Sequence, residues 1–328
     1  MKKLLNFTWV LAVVSTIILV SCSDKSDEPQ PSAQNRFDVL KNYLNSQNMD
    51  LDDILTDWIT TAEDVYTVMT DVDPLNDYFI IDIRKEEDYS AGHMEWAVNS
   101  TLGGILETAQ DAGGKPIIVV CYSGQAAGHG VVALRLSGYT DAKVMKWGMS
   151  SWNSATAGPW NSHTGDAAIG DGNWINPPGS IQGNTAHNTP EVNYTTTDGS
   201  EILKDQILIL LSGGFSGVSG VDVLANPADY FVNNFWEVAD IEQYGNIKDA
   251  CRIKPLTLGT GEYVYLDPNA KVVTYCWTGH SSSIVTAYLK VIGYDSYSLT
   301  YGTNSMIYTN LESNKWGPTQ IMEYPLTQ

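Results

Sequence analysis

The chain has 328 residues, of which 43% are hydrophobic, and its 18 basic and 38 acidic residues give a formal net charge of −20. This length and apolar content allow about two domains, each with a core of its own. The acidic balance argues against nucleic-acid binding, which needs a basic surface, and disfavours long-range attraction of polyanionic substrates.

The N-terminus has the pattern of a targeting segment. Two lysines precede an apolar run that ends at Val20 and is short for a membrane span. We predict a cleaved signal peptide at residues 1–21, with an uncleaved signal anchor as the alternative. The run LVSC, ending at Cys22, resembles the processing box of bacterial lipoproteins, which implies cleavage before Cys22 and lipidation of that cysteine. The implied location is the bacterial cell envelope, with a lipid anchor in the outer membrane. The sequence does not indicate whether the protein lies on the periplasmic face or on the cell surface.

Residues 22–50 are predicted to be a tether. The segment that follows Cys22, SDKSDEPQPSAQN, is polar and contains proline, a composition typical of disordered linkers. Three further cysteines, Cys121, Cys251 and Cys276, form an odd set that does not predict a disulfide framework. Cys251, in the sequence DACRI, is predicted to pack in the core rather than to act as a resolving thiol.

The rest of the chain repeats one pattern, in a first repeat (residues 51–160) and a second repeat (residues 201–328). The predicted elements of the first repeat follow in chain order: a capping box at Thr61–Asp64 that opens a helix through Met69, a buried strand at 78–83, a helix at 86–91, a buried strand at 116–120, a helix at 126–137 that Gly138 ends, and a short strand at 143–146. Residues 161–200 are rich in glycine, proline and asparagine and are predicted to be a linker, and a helix begins near Glu201. The alternation predicts an α/β fold with two domains, each a mostly parallel sheet flanked by helices.

Both repeats carry a similar cysteine loop after a β-branched apolar run. Loop one reads CYSGQAA and loop two reads CWTGHSS, and each cysteine lies 17 residues before a glycine, Gly138 or Gly293. The members of the two loops are Cys121, Tyr122, Ser123, Gly124, Gln125, Ala126 and Ala127, and Cys276, Trp277, Thr278, Gly279, His280, Ser281 and Ser282. Backbone N–H groups and a helix dipole converge where a loop leads from a strand into a helix, so we expect both thiols to be more acidic than free cysteine. A glycine at the fourth position permits tight curvature.

The loops resemble the active-site loop of the rhodanese-like sulfurtransferases. The Asp82-Ile83-Arg84 strand end, the Gly92-His93 pair and the Trp147-Gly148 segment resemble further motifs of that family. The resemblance implies sulfur transfer through a cysteine persulfide, with Cys121 and Cys276 as catalytic residues, the loops as substrate-binding segments, and Asp82, Arg84 and His93 in supporting roles. It implies a small sulfur donor and a thiol acceptor as partners, without a cofactor or a metal.

The second repeat departs from these motifs. Asn234, Trp236 and Asn246 stand where the first repeat has Asp82, Arg84 and His93, so we predict that Cys121 carries the larger share of transfer. His280 is interpreted either as an imidazole that activates Cys276 or as a rim residue that only meets solvent.

Charge in the loops narrows the chemistry further. Neither loop holds an arginine six residues after its cysteine, which argues against phosphatase activity, and neither holds a lysine that would bind thiosulfate. A persulfide or polysulfide donor therefore fits better. The rival function is a non-catalytic, lipid-anchored binding or redox-sensing module whose cradled cysteines bind an anion or become oxidised.

Overall fold

A computed structural model describes residues 32–71, 78–178 and 183–328. The predicted signal peptide, the lipidation site Cys22 and the first part of the predicted tether lie outside the described residues. The strands are, in chain order, β1 (Gln34–Asn35), β2 (Ile59–Thr60), β3 (Phe79–Asp82), β4 (Val98–Asn99), β5 (Ile117–Val120), β6 (Lys143–Met145), β7 (Trp174–Ile175), β8 (Asn193–Tyr194), β9 (Gly217–Val218), β10 (Tyr230–Asn234), β11 (Asn246–Ile247), β12 (Lys271–Tyr275) and β13 (Ser296–Leu299).

The α-helices of the described residues alternate with these strands. They are α1 (Phe37–Ser46), α2 (Leu51–Ile54), α3 (Ala62–Thr70), α4 (Glu86–Ala91), α5 (Ile105–Thr108), α6 (Gln125–Leu136), α7 (Gly158–Asn161), α8 (Gly199–Ser212), α9 (Gly220–Ala225), α10 (Val238–Tyr244) and α11 (His280–Val291). Among the described residues, no helix is both long and apolar enough to cross a membrane.

Each repeat contains one parallel sheet, which confirms the predicted α/β fold with helix-flanked parallel sheets. The strand order is β2-β6-β5-β3-β4 in the first repeat and β10-β12-β13-β9 in the second. The central strand β5 is buried along its whole length, as expected for a parallel strand covered on both faces. Two small antiparallel pairs, β1 with β8 and β7 with β11, lie outside these sheets.

The two sheets share apolar packing through their helices. Helix α6, which follows loop one, packs against α11, which follows loop two, and both contact α8. The largest cluster of buried apolar side chains takes members from both repeats, such as Val131 and Leu134 of α6 and Ile284 and Tyr288 of α11. Residues 33–328 accordingly form one compact unit.

The prediction that residues 22–50 form a tether is wrong for residues 33–50, which are folded onto the rest of the protein. They contain α1, whose residues Phe37, Leu40 and Leu44 are buried. The i, i+3, i+7 spacing of these residues places them on one helix face, which packs against α8. The polar composition of the preceding segment concealed this apolar stripe. The Asp50 carboxylate then accepts hydrogen bonds from the Leu258 and Gly259 N–H groups at 2.9 and 2.8 Å, which fixes the end of the segment to the second repeat.

The described parts of the predicted linker, residues 161–178 and 183–200, are largely irregular but are attached to their surroundings. They contribute β7 and β8 to the two antiparallel pairs, and their residue Val192 is buried in the shared core. Helix α8 begins at Gly199, because the Asp198 side chain accepts the N–H groups of Ser200 and Glu201.

The C-terminal residues cross back onto the first repeat. The N–H of Met322 donates to Ser151 O at 2.9 Å, and the backbones of His93 and Thr327 exchange two hydrogen bonds of 2.9 Å. The Tyr324 ring stacks on Tyr66 with 3.9 Å between ring centroids. The chain end therefore completes the aromatic packing of the first repeat.

Candidate active site

Both cysteine loops lie between the carboxyl end of a central strand and the first turn of a helix. Loop one joins β5 to α6, and loop two joins β12 to α11. Gly124 and Gly279 adopt left-handed backbone conformations with φ of +83° and +82°. These glycines turn each loop back on itself so that the following N–H groups face the cysteine.

The sulfur of each cysteine receives backbone hydrogen bonds from its own loop. Cys121 Sγ accepts the N–H groups of Gly124 at 3.1 Å and Ala127 at 3.4 Å. Cys276 Sγ accepts those of Gly279 at 3.2 Å and Ser282 at 3.5 Å. Each sulfur thus lies at a helix N-terminus, where the free N–H groups and the helix dipole favour a negative charge.

A second glycine packs against the backbone of each loop, Gly148 against loop one and Gly302 against loop two. Gly148 and Gly302 have positive φ, and a Cβ on either would lie 2.4 Å from the carbonyl oxygen of Cys121 or Cys276. Only a residue without a side chain fits at such a distance. The next N–H in each repeat donates to that same carbonyl, from Met149 at 2.9 Å and from Thr303 at 3.1 Å. The two repeats therefore hold their loops in the same way.

Burial works against ionisation of Cys121. The residue is 2% exposed, and this burial raises the pKa of its thiol more strongly than the surrounding backbone N–H groups lower it. The expected acidic thiol is therefore wrong for Cys121 in the ligand-free protein, because desolvation outweighs the amide cradle. Cys276 is equally buried, and its thiol lies 3.5 Å from the Ser282 hydroxyl, which in turn bonds to Ser298 at 2.8 Å.

The structure places Asp82, Arg84 and His93 around the end of β3. Arg84 and Asp82 form a buried ion pair, with Nη2 2.7 Å from Oδ2, and Arg84 Nη2 also donates to Gly92 O at 2.8 Å. The His93 ring stacks on Tyr89 and lies 3.0 Å from its carbonyl oxygen through Nδ1. The three side chains link the strand end to α4 and to the segment that follows it.

A cavity of about 260 Å³ borders loop one. Its lining includes Arg84, Asp88, Ala91, Tyr122 and Thr156. The Tyr122 hydroxyl donates a short hydrogen bond to the Asp88 carboxylate. The cavity beside loop one therefore carries an acidic and a phenolic group at its wall.

The corresponding space beside loop two is filled by aromatic rings. Trp236, Tyr244 and Trp277 stand where the first repeat has Arg84, Ala91 and Tyr122. The Trp277 ring lies 4.3 Å from the Trp236 ring and 5.3 Å from the Tyr244 ring, between centroids. Asn234 keeps one function of Asp82, because its Oδ1 accepts the N–H of Trp236 at 3.1 Å.

His280 matches neither of its two interpretations. It is 2% exposed, so it does not lie on a solvent rim. Its two ring nitrogens contact groups other than the Cys276 thiol. Nδ1 lies 2.6 Å from Thr278 Oγ1, and Nε2 lies 3.0 Å from Ser123 O in loop one and 3.1 Å from the N–H of Trp147. Burial, together with the charge of Lys146, lowers the pKa of His280 to about 3, so the imidazole is neutral.

Sequence reasoning missed the residues that join the two loops. Trp160 donates from Nε1 to Ser123 O at 3.0 Å, and its ring packs with Trp147 and Trp316 in a buried cluster. Tyr301 donates its N–H to Gln125 Oε1 at 2.7 Å. Trp147 and Tyr301 occupy matched positions, each directly before a glycine, Gly148 or Gly302, and this match is the one indication in the sequence. No local pattern shows that the two residues contact the opposite loop.

The three cysteines of the described residues are free thiols. Cys251 is half-buried and pairs through its backbone with β10, where Asn234 donates to Cys251 O at 2.8 Å. The burial around this thiol raises its pKa. Its place in the fold agrees with a packing role.

Several solved structures are similar to this chain at low sequence identity. No curated protein matches the chain. Among solved structures, a rhodanese-like domain protein from Staphylococcus aureus is 20% identical, with a TM-score of 0.26, over 29% of this chain and 91% of that one. A thiosulfate sulfurtransferase from Pseudomonas aeruginosa is 13% identical, with a TM-score of 0.30, over 86% of this chain and 48% of that one. A 3-mercaptopyruvate sulfurtransferase from Leishmania major is 13% identical, with a TM-score of 0.26, over 75% and 72% of the two chains.

The match to a protein family falls on the first repeat. Residues 61–155 match the family described as Rhodanese-like domain. This range runs from the capping residue of α3 to the 3₁₀ turn after Trp152, and it contains β3, β5, α6 and the whole of loop one. The segment around Cys121 is therefore similar to a rhodanese-like domain.

Proposed function

We propose that the protein is a sulfurtransferase that carries sulfane sulfur on Cys121 as a persulfide. The observation that carries this proposal is the position of Cys121 Sγ, which accepts two backbone N–H groups at the N-terminus of α6. An anionic terminal sulfur on Cys121 would face the same set of amide donors and the helix dipole. The match of residues 61–155 to the rhodanese-like domain supports the same reading.

Transfer would take place in two steps that conserve electrons. The Cys121 thiolate attacks the outer sulfur of a persulfide donor, and the S–S bond of the donor breaks with its electron pair leaving on the donor thiolate. The acceptor thiolate then attacks the outer sulfur of the Cys121 persulfide, and Cys121 leaves as the thiolate. Because the ligand-free thiol has a raised pKa, its proton must leave as the donor enters, and the departing donor thiolate takes it up.

The charges near loop one support a persulfide or polysulfide donor rather than thiosulfate. Residues 122–127 contain no cationic side chain, and the guanidinium of Arg84 is already bound to Asp82. The Asp88 carboxylate at the cavity wall adds a negative charge. A dianion would therefore meet stronger repulsion than a neutral or singly charged thiol-borne sulfur donor.

We propose that Cys276 carries the smaller share of transfer. The rings of Trp236, Tyr244 and Trp277 fill the space that borders loop one in the first repeat. Cys276 has backbone donors similar to those of Cys121, but a donor molecule would have to displace these rings.

We also propose that the protein is held in the bacterial cell envelope by a lipid on Cys22. The support comes from the sequence, through the apolar run and the LVSC box. A thiol-based transferase in this compartment would meet sulfur compounds before they reach the cytoplasm. The acidic surface would not favour binding to nucleic acid.

The deciding experiment exposes the protein to polysulfide and measures the mass of each cysteine peptide. A gain of one sulfur atom on Cys121 that a small thiol removes, with release of the sulfur to that thiol, supports the proposal. Stable oxidation of the cysteines without transfer would favour the redox-sensing module instead.

A further inference from the structure

His280 belongs to loop two, but its imidazole is enclosed by loop one. Nε2 lies 3.0 Å from Ser123 O, and a Cβ added to Gly124 would lie 2.6 Å from the same nitrogen. The Trp147 ring packs edge-on against the imidazole, with 5.3 Å between centroids. The side chain therefore fills the space that the absence of a Cβ on Gly124 leaves open.

Gln125 makes the reciprocal contact in the other direction. It holds the same place in loop one as His280 in loop two, four residues after the cysteine. Its Oε1 accepts the N–H of Tyr301 at 2.7 Å, and a Cβ on Gly279 would lie 2.4 Å from it. The fifth residue of each loop thus packs against the glycine of the other loop. The two loops are therefore related by an approximate local twofold axis.

The contact at Ser123 acts directly on one of the backbone N–H groups that donate to Cys121 Sγ. Ser123 O and Gly124 N belong to one planar peptide group, so holding the oxygen on one side directs the N–H to the other side. That N–H is the donor 3.1 Å from Cys121 Sγ. The Trp160 indole holds the same oxygen at 3.0 Å, so the imidazole and the indole together set the orientation of this peptide.

The neutral imidazole contacts the first repeat in either tautomer, but it donates to loop one only with the proton on Nε2. With the proton on Nε2, it donates to Ser123 O, while Nδ1 accepts the Thr278 hydroxyl. With the proton on Nδ1, the imidazole donates to Thr278, and Nε2 accepts the N–H of Trp147. The low pKa of His280, caused mainly by burial, keeps a second proton off the ring.

We propose that His280 is a positioning residue for Cys121, holding the Ser123–Gly124 peptide so that its N–H points at the sulfur of the opposite repeat. The role in catalysis rests on the proposed sulfurtransferase function, while the orientation of the peptide does not. Loop two would then serve the reaction at loop one whatever Cys276 itself does.

The test uses the full chain in a Cys276→Ser background, which removes any effect through the second thiol. His280→Ala, His280→Gln and a control at a half-exposed histidine, His187→Ala, are compared. Two quantities are measured: the kcat and KM of sulfur transfer from polysulfide, and amide hydrogen exchange at Gly124 by NMR after selective glycine labelling. The second reports the peptide's orientation without any turnover.

We expect His280→Ala to lower kcat by about tenfold or more with KM within about twofold, since an aimed donor is lost. It should also speed Gly124 exchange by about tenfold, because the hydrogen bond to sulfur opens more often. His280→Gln, whose amide reaches as far as Nε2, should recover both quantities to within about threefold. His187→Ala should match its parent.

Unchanged kcat and unchanged Gly124 exchange in His280→Ala would overturn the proposal. Equal losses in His280→Ala and His280→Gln, with an equal fall in Tm, would also overturn it, because they would show that only packing matters. If the parent transfers no sulfur, the proposed function fails, and the exchange measurement alone decides whether His280 positions the peptide.

Discussion

Ala127 and Ser282 occupy the same position, six residues after the cysteine of each loop, and both direct their N–H groups at that cysteine's sulfur. The distances are 3.4 Å to Cys121 and 3.5 Å to Cys276. Only Ser282 adds a hydroxyl, which lies 3.5 Å from its sulfur and is bonded to Ser298. The two loops thus share their backbone donors and differ in the side chain at this position.

The first prediction ranks the two cysteines. Cys121→Ser should lower kcat/KM for transfer from polysulfide by about 100-fold or more, because the nucleophile is lost. Cys276→Ser should remain within about threefold, since aromatic rings fill the space beside loop two. Loss of transfer in Cys276→Ser with full activity in Cys121→Ser would reverse the ranking. If neither substitution matters, the binding-module function takes the place of the enzyme.

The second prediction concerns the sulfur donor. We expect kcat/KM for the persulfide of a small neutral thiol to exceed that for thiosulfate by at least about tenfold, because the thiosulfate dianion is repelled more strongly near Asp88 than a singly charged donor. Asp88→Asn should raise thiosulfate turnover by about threefold, whereas Asp111→Asn, on an exposed turn before β5, should not. Efficient thiosulfate turnover by the unaltered protein would show that a cation such as Arg84 or Lys146 reaches the donor.

The third prediction concerns stability in acid. Burial lowers the pKa of His129 and of His280 to about 3, against an ordinary value of about 6.5 in the unfolded chain. Below pH 6.5 these two histidines bind protons in the unfolded chain but stay neutral in the folded protein. The free energy of unfolding therefore falls as the pH drops from 6.5 toward 3. The slope should approach roughly 1 kcal/mol per pH unit for each histidine.

Urea unfolding at pH 7, 6 and 5 measures this slope. His129→Gln should make it shallower, because it removes one of the two buried histidines. A slope that stays the same in His129→Gln would show that other groups cause the loss of stability.

The fourth prediction concerns the buried ion pair of Asp82 and Arg84. Arg84→Met should lower the free energy of unfolding by about 3–5 kcal/mol, because it leaves a buried carboxylate without its countercharge. The double variant Asp82→Asn/Arg84→Met should lose clearly less, since the second repeat already has a neutral Asn234 at this strand end. Equal denaturant midpoints for the single and double variants would contradict this account.

The fifth prediction concerns anchoring. Cys22→Ala should release the protein into the soluble fraction or leave its signal uncleaved, because the acceptor of the lipid is gone. Fractionation of cells and the mass of the mature N-terminus check this. A processed Cys22→Ala protein that stays wholly in the membrane fraction would be evidence against the lipid anchor.

Local patterns in the sequence predicted the local structure well. The Thr61–Asp64 capping box does open α3, α4 has the predicted bounds, and loop one leads into α6 as expected. Each of these depends on residues within a few positions of one another, where propensity and capping act. The parallel strands followed from buried β-branched runs.

The contacts between the loops could not be predicted in the same way. His280 and Ser123 are 157 residues apart, and nothing in the CWTGHSS sequence indicates which face the imidazole takes. The raised pKa of Cys121 was missed for a related reason, because desolvation depends on every element that covers the loop. Helix α1 was missed because acidic and proline residues before it outweighed its three apolar positions.

The crossing of the two terminal segments has a consequence for the order of folding. Residues 37–50 pack on the second repeat, through the Asp50 bonds to the backbone at 258 and 259, while Tyr324 stacks on Tyr66 in the first. Contacts between residues more than 200 positions apart form late, since a long loop must close first. The first repeat therefore has part of its aromatic core uncovered until residues 322–327 pack against it. In the compartment where the chain folds, these rings make it a candidate for chaperone binding until then.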